Sequence, residues 1–204
     1  MKIGVLGGTF NPPHWGHFII TQAVFKNLGL DKILLIPSAI PSLKTKDLAP
    51  LKDRLMMTKL LAKLDSRLKV SLIEIQRAKR GKKSYTIDTI KELKRKFPKD
   101  EICWIIGADS FREIIEGKWR GGIALFDLLD FVVITRPGYN LTFSDYPLKL
   151  RKTAEKLLLK VKRIKLNVSI SSTEIREKIK TNQEIRDLVP PNILEYIKKR
   201  KLYH

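Results

Sequence analysis

Residues 7–17 read GGTFNPPHWGH and lie between an apolar segment, residues 2–6, and an amphipathic segment, residues 17–28. This order predicts a buried strand, a glycine-rich turn and a helix. Glycine lets a backbone approach a phosphate closely, and the free N–H groups and positive dipole end of a helix start favour an anion. The segment is neither a Gly-x-Gly-x-x-Gly fingerprint nor a P-loop. It therefore predicts a phosphate-binding strand–turn–helix unit of another kind.

Short apolar runs alternate with amphipathic segments up to residue 135. The alternation predicts an α/β fold, a Rossmann-like and mainly parallel sheet with helices on both faces. Ligands bind such sheets at the carboxyl ends of the strands. The predicted strands are residues 2–6, 32–36, 68–75, 102–106 and, as the last, 131–135, and the predicted helices of this part are residues 17–28, 50–64 and 84–97.

The end of the chain differs from the rest. Ser171 and Glu174 have the spacing of a capping box at a helix start, and a last short helix is expected at residues 193–199. We expect a single domain over residues 1–204, with a sheet core at about 1–168 and a small helical cap at about 169–204.

Composition narrows the class of protein. The chain has 204 residues, 43% of them hydrophobic, and a formal net charge of +20. The sequence contains no run of about 18 apolar residues, so no membrane helix is predicted. The N-terminus lacks the apolar length of a signal peptide, and Cys103 is expected in the core. A cytoplasmic location follows as an expectation. The charge allows a basic nucleic-acid-binding module, but the basic residues are spread at helical spacing, which favours a lysine-rich surface.

His14 and His17 stand three residues apart at the predicted helix start. They could form part of a metal site, but the only other histidine is His204 and the only cysteine is Cys103, so we predict no protein-held metal. At a phosphate-binding helix start, imidazoles can donate hydrogen bonds to phosphoryl oxygens as charge develops. That catalytic role is the prediction for both histidines.

Two segments resemble signatures of the nucleotidyltransferase superfamily: residues 7–17 resemble Gly-x-Phe-x-Pro-x-His-x-Gly-His, and residues 170–176 resemble Ile-Ser-Ser-Thr-x-Ile-Arg. Further segments look like bacterial nicotinate-nucleotide adenylyltransferases, over essentially the whole chain. They are Ile36-Pro37, Pro41, Lys44, Ser84-Tyr85-Thr86, residues 106–110, Trp119, residues 136–139 and Leu202-Tyr203. The chain departs from that family at Leu43, where a histidine is usual, and at Asn11, where many members have aspartate.

The resemblance implies adenylyl transfer from ATP to nicotinate mononucleotide, giving nicotinate adenine dinucleotide and pyrophosphate in NAD biosynthesis. It implies that Mg²⁺ is bound mainly through the ATP phosphates. The implied ATP-binding residues are Gly8, Thr9, Phe10, His14, His17, Lys44, Gly107, Asp109, Ser172, Thr173 and Arg176. The implied mononucleotide-binding residues are Thr86, Trp119 and Arg136. The sequence leaves open whether the chain forms a homo-oligomer.

Two rival enzymes lie close to this interpretation. Pantetheine-phosphate adenylyltransferases share the first signature, but they are usually shorter and match poorly around Trp119 and residues 84–86. Nicotinamide mononucleotide as the preferred or an equal acceptor stays open, because it differs from nicotinate mononucleotide only by a carboxamide in place of a carboxylate.

Overall fold

Six parallel strands form one sheet in a computed structural model, which describes residues 1–41, 47–135 and 141–204. The strand order is β3-β2-β1-β4-β5-β6. The order of the strands switches at β1: β2 pairs on one side of it and β4 on the other. The strands are β1 Lys2–Gly8, β2 Lys32–Pro37, β3 Leu68–Val70, β4 Glu101–Gly107, β5 Asp130–Thr135 and β6 Lys162–Lys165.

Helices cover both faces of this sheet. They are α1 Trp15–Leu28, α2 Leu51–Ala62, α3 Ile73–Ala78, α4 Thr86–Lys96, α5 Ala108–Ile115, α6 Leu148–Lys160, α7 Ser172–Lys180 and α8 Pro191–Arg200, with 3-10 turns at Gly122–Asp127 and Phe143–Asp145. Side chains of β1 and β2 alternate between two cores: Ile3 and Val5 pack with α4, α5 and α6, whereas Ile33 and Leu35 pack with α1, α2, α7 and α8. The predicted α/β fold is confirmed.

Two predictions about the sheet were wrong, and both concern its edges. The strand predicted at residues 68–75 ends at Val70, and Ile73 and Glu74 turn inward as the start of α3. The strand at residues 131–135 is not the last, because β6 pairs with β5 beyond it. Only Ile164 of β6 is buried, so an edge strand flanked by charges carries little apolar signal.

Helix α4 begins two residues later than predicted. Ser84 is not helical: it forms a bridge with Pro41, and its Oγ accepts the N–H groups of Ala39 at 3.1 Å and Ile40 at 3.4 Å. Thr86 is therefore the first residue of α4. This bridge holds the start of α4 beside the carboxyl end of β2.

The C-terminal segment packs on the face that carries α1 and α2. Ile175 of α7 and Ile193 of α8 are completely buried there. The Asn192 side chain donates to the Leu60 carbonyl at 3.1 Å, and the Trp15 N–H donates to the Leu188 carbonyl at 3.0 Å. These contacts bring α7 next to the turn that follows β1.

In the described parts of the chain, no helix has both the length and the apolar character needed to cross a membrane.

Candidate active site

A cleft of about 550 Å³ opens at the carboxyl ends of β1, β4 and β5. Of the predicted site residues, it is lined by Gly8, Thr9, His14, His17, Thr86, Gly107, Asp109, Trp119, Ser172, Thr173 and Arg176. Phe10 is not among the lining residues, because its side chain is 1% exposed and points into the core. Lys44 and Arg136 lie outside the described residues. The topology thus brings residues from five separate segments to one cleft.

The turn between β1 and α1 forms one wall of the cleft. Phe10 in this turn has a φ of 48°, in the left-handed region that bulky residues rarely adopt. Burial of the Phe10 ring against the core offsets this cost. The turn leads into α1, which begins at Trp15 after His14.

His14 and His17 lie side by side at the start of α1. Their ring centroids are 3.9 Å apart, and His14 is 6% exposed. The backbone N–H of His14 donates to Nδ1 of His17 at 3.3 Å. Since Nδ1 of His17 accepts this bond, a neutral His17 carries its proton on Nε2. The N–H donor of the neutral ring is then at Nε2.

Gly16 gives the His14 ring its position. A Cβ at residue 16 would lie 2.8 Å from Nδ1 and 2.9 Å from Cε1 of His14. We expect Gly16→Ala to displace the His14 ring and to lower kcat about tenfold or more, because small misplacements of catalytic groups are costly. Steady-state kinetics test this, with Gly81→Ala as a control for replacing a glycine. Gly81 has open space around it and lies outside the cleft-lining residues. Its φ of 71° makes alanine strained there, so this variant should lose stability with kcat unchanged, and equal losses of kcat in both folded variants would contradict a role for Gly16 in placing His14.

The second signature segment is bonded to the first. Ser172 Oγ donates to the Pro12 carbonyl at 2.9 Å, and Arg176 Nη1 donates to the Asn11 carbonyl at 3.0 Å. Nη2 of Arg176 donates to Thr173 Oγ1 at 3.3 Å. Nε of Arg176 is buried without a hydrogen-bond partner among the described residues. The two segments, 160 residues apart in sequence, therefore form one wall.

Helix α7 begins at Ser172 with the predicted cap. Ser171 Oγ accepts the N–H of Glu174 at 3.1 Å. The N-terminal end of α7 borders the cleft and adds a positive dipole end to it.

Gly107 and Asp109 form the wall beyond β4. Gly107 precedes α5, and the Asp109 carboxylate folds back so closely over it that a Cβ at residue 107 would collide with Asp109 Oδ1. Glycine at this position lets the carboxylate stand at the rim of the cleft, where it can accept hydrogen bonds.

Trp119 and Thr86 also line the cleft. Trp119 Nε1 donates to Glu113 Oε2 at 2.9 Å, which fixes the plane of the indole, and Thr86 opens α4 without a side-chain cap. Arg120 lies over the Tyr85 ring at 5.0 Å from its centroid. An aromatic face and an uncapped helix start suit a flat ring that carries an anionic group.

Comparison with known proteins identifies the family of this chain. A family model described as cytidylyltransferase-like matches residues 5–178. A curated protein of Opitutus terrae, named probable nicotinate-nucleotide adenylyltransferase, is 37% identical over 100% of this chain and 98% of its own length. The chain belongs to the nicotinate-nucleotide adenylyltransferase family. A Thermus thermophilus relative with the same name is 36% identical over the full length of both chains.

Solved structures share the fold of this nicotinate-nucleotide adenylyltransferase family member. Plasmodium falciparum nicotinic acid mononucleotide adenylyltransferase complexed with NaAD superposes with a TM-score of 0.74 at 21% identity, over 99% of this chain and 97% of that one. The same Plasmodium enzyme complexed with APC gives a TM-score of 0.74 at 19% identity, over 99% and 96% of the two chains.

Sequence reasoning missed two acidic residues that line this adenylyltransferase cleft, Glu113 and the buried Glu74. Glu74 lines it and is 5% exposed, and its Oε1 accepts a hydrogen bond from Thr89 Oγ1 at 2.8 Å. Burial raises the pKa of the Glu74 carboxyl, against opposing hydrogen bonds from Ser84 and Thr89 and the charge of Arg77. Glu74 was missed because residues 68–75 were predicted as one strand, so the residue was not placed on a helix.

Arg54 of α2 was also missed, although it holds two walls of the cleft together. It is 2% exposed, and burial lowers the pKa of its guanidinium. Its nitrogens donate to four carbonyls, those of Thr9 at 2.9 Å, Ser38 at 2.7 Å, Ala39 at 3.3 Å and Ala49 at 3.1 Å. No local sequence pattern marks such a residue, since its acceptors come from three separate segments.

Proposed function

We propose that the protein transfers the adenylyl group of ATP to nicotinate mononucleotide, forming nicotinate adenine dinucleotide and pyrophosphate, a step in NAD biosynthesis. The observation that carries this proposal is the meeting of both signature segments at one cleft in a chain with full-length nicotinate-nucleotide adenylyltransferase relatives. The alternative of a basic nucleic-acid-binding module explains the net charge but gives the cleft no role.

ATP is proposed to lie over the turn after β1. Backbone N–H groups near Gly8, Thr9 and Phe10 would contact its phosphates, as would the N-terminal end of α7 at Ser172 and Thr173. Lys44 and the remaining N–H groups of Arg176 would add positive charge. Asp109, at the rim beyond β4, would accept hydrogen bonds from the ribose hydroxyls.

Nicotinate mononucleotide is proposed to lie on the opposite side. Its pyridine ring would stack on Trp119, and its carboxylate would face the start of α4 at Thr86, with Arg136 as a further contact. The cleft provides the aromatic face and the uncapped helix start that such a group requires.

The reaction is an in-line displacement at the α-phosphorus of ATP. A phosphate oxygen of the mononucleotide forms the new P–O bond, and the bond from the α-phosphorus to the oxygen bridging to the β-phosphate breaks as pyrophosphate leaves. The nucleophile is already ionised at pH 7, so no general base is required. His14 and His17 would stabilise the charge that develops on the phosphoryl oxygens, and the two walls would align the reactants.

Mg²⁺ is the proposed cofactor. Within residues 1–41, 47–135 and 141–204 no group of three or more His, Cys, Asp or Glu side chains could hold a metal ion. The donor set of the cleft fits an ion that arrives on the ATP phosphates and keeps its water ligands, because such an ion needs few protein carboxylates. When bound there, it would neutralise charge on the departing pyrophosphate.

Pyrophosphate release from ATP and Mg²⁺ tests the function with either nicotinate or nicotinamide mononucleotide as acceptor. We expect fast release with the nicotinate form and at least about tenfold lower kcat/KM with the amide, because an anion site disfavours a neutral group. Comparable rates with both acceptors would keep the reaction and overturn the substrate assignment. No release with either, beside tight and salt-dependent RNA or DNA binding, would favour the nucleic-acid module.

A further inference from the structure

The Asn11 side chain lies at the centre of a buried hydrogen-bond network next to the ATP-binding turn. It is 2% exposed, and its polar atoms all have partners. Oδ1 accepts the N–H of Ala49 at 2.9 Å and the hydroxyl of Tyr203 at 2.9 Å, and Nδ2 donates to the Asp47 carbonyl at 2.7 Å. One amide thus joins the turn after β1 to the residues that follow the loop after β2.

Tyr203 reaches Asn11 from 192 residues away in sequence. After α8, Lys201 and Tyr203 adopt left-handed φ values of 48° and 70°, and the Leu202 N–H donates back to the Ile197 carbonyl at 3.1 Å. Two left-handed φ values at non-glycine residues within three positions are costly and persist only where the surroundings compensate for them. Here the buried Leu202 side chain and the Tyr203 hydrogen bond provide that compensation.

The Ala49 N–H, which can only donate, and the Asp47 carbonyl, which can only accept, determine which way the Asn11 amide points. With Oδ1 facing Ala49 and Tyr203, it accepts from both, whereas a flipped amide would place its NH₂ against the Ala49 N–H. Burial raises the pKa of the Tyr203 hydroxyl, so it stays protonated and remains a donor at neutral pH. Only the observed orientation lets Nδ2 bond to the Asp47 carbonyl.

We propose that Tyr203 is a positioning residue for ATP: its hydroxyl adds a hydrogen bond to the Asn11 amide, which holds residues 9–12 and the chain at residues 47–49 in their binding geometry. The inference rests on the proposed function, because it concerns the ATP side of that site. Asn11 is the intermediary, since its carbonyl also accepts from Arg176 and the residue is among those that line the cleft. Tyr203 itself does not line the cleft.

Tyr203→Phe removes the hydroxyl and keeps the ring. We expect it to weaken binding of a non-hydrolysable ATP analogue about fivefold, the scale of one lost hydrogen bond, and to raise KM for ATP similarly, with KM for the mononucleotide within about twofold. Calorimetry measures the first effect and steady-state kinetics the others. The matched control is Tyr196→Phe, whose hydroxyl donates at 2.8 Å to Asp53, a buried residue outside the cleft lining. It should leave both ATP values unchanged.

A double-mutant cycle tests whether Tyr203 acts through Asn11. In an Asn11→Ser background, with Asn11→Ala as a second version, Tyr203→Phe should have no further effect on analogue binding. If Tyr203→Phe weakened analogue binding equally in the wild type and in the Asn11 variants, the proposal would be overturned. A lower melting temperature with unchanged analogue affinity in Tyr203→Phe would overturn it as well. Analogue binding does not require turnover, so a wild-type protein that binds ATP without releasing pyrophosphate would refute the proposed function and leave the role of Tyr203 testable.

Discussion

His17→Ala is expected to lower kcat by at least ~100-fold, the scale of losing a donor that stabilises developing charge. Nδ1 of His17 accepts the backbone N–H of His14, so the donating N–H belongs to Nε2 and disappears with the ring. KM for ATP should change much less than kcat, because the donor acts mainly on charge that appears in the transition state. Pyrophosphate release under saturating substrates measures the change.

Two control variants sharpen this test. His17→Gln places an amide nitrogen near the position of Nε2 and should recover part of the lost rate, whereas His204→Ala removes an exposed histidine and should have no effect. Far-UV circular dichroism checks that His17→Ala is folded. Wild-type kcat in a folded His17→Ala protein would remove His17 from the mechanism.

Arg54→Met is expected to have the largest effect on stability, lowering the free energy of unfolding by about 3 kcal/mol or more. Methionine fills much of the same volume but leaves four backbone carbonyls without their donor in a buried setting. A loss of about 3 kcal/mol corresponds to roughly 6–12 °C in Tm for a chain of this size. Thermal unfolding followed by circular dichroism measures it.

Lys59→Ala on the same helix is the matched control, because Lys59 is exposed and should change Tm little. Arg54→Lys keeps the charge but offers one nitrogen in place of three, so we expect an intermediate loss. If Arg54→Met melted within about 2 °C of the wild type, the four bonds would contribute little.

The sequence predicts the centre of the fold better than its edges. Strands β1, β2, β4 and β5 are covered on both faces and read as continuous apolar runs, so each was predicted within two residues of its bounds. Strands β3 and β6 lie at the two edges, where partial exposure admits charged residues, and one was predicted too long and the other not at all.

The same distinction applies to the candidate site. Residues in local motifs, such as His17 and Ser172, were identified from adjacent sequence, and the structure brings them to one cleft. Arg54 and Glu74 were not identified, because their partners lie up to 45 residues away and no local pattern records a contact made in three dimensions. The roles of the motif residues in binding and catalysis stay predictions until the variants are measured.

The turn after β1 is held by residues that the ribosome makes much later than the turn itself. Residues 9–12 are made well before several of their bonding partners, among them Arg54, Ser172, Arg176 and Tyr203. At about 5–20 residues per second, a nascent chain carries this turn without its last partners for on the order of ten seconds or more. The full set of bonds that holds this turn therefore forms only after the segment with Ser172, Arg176 and Tyr203 has left the ribosome.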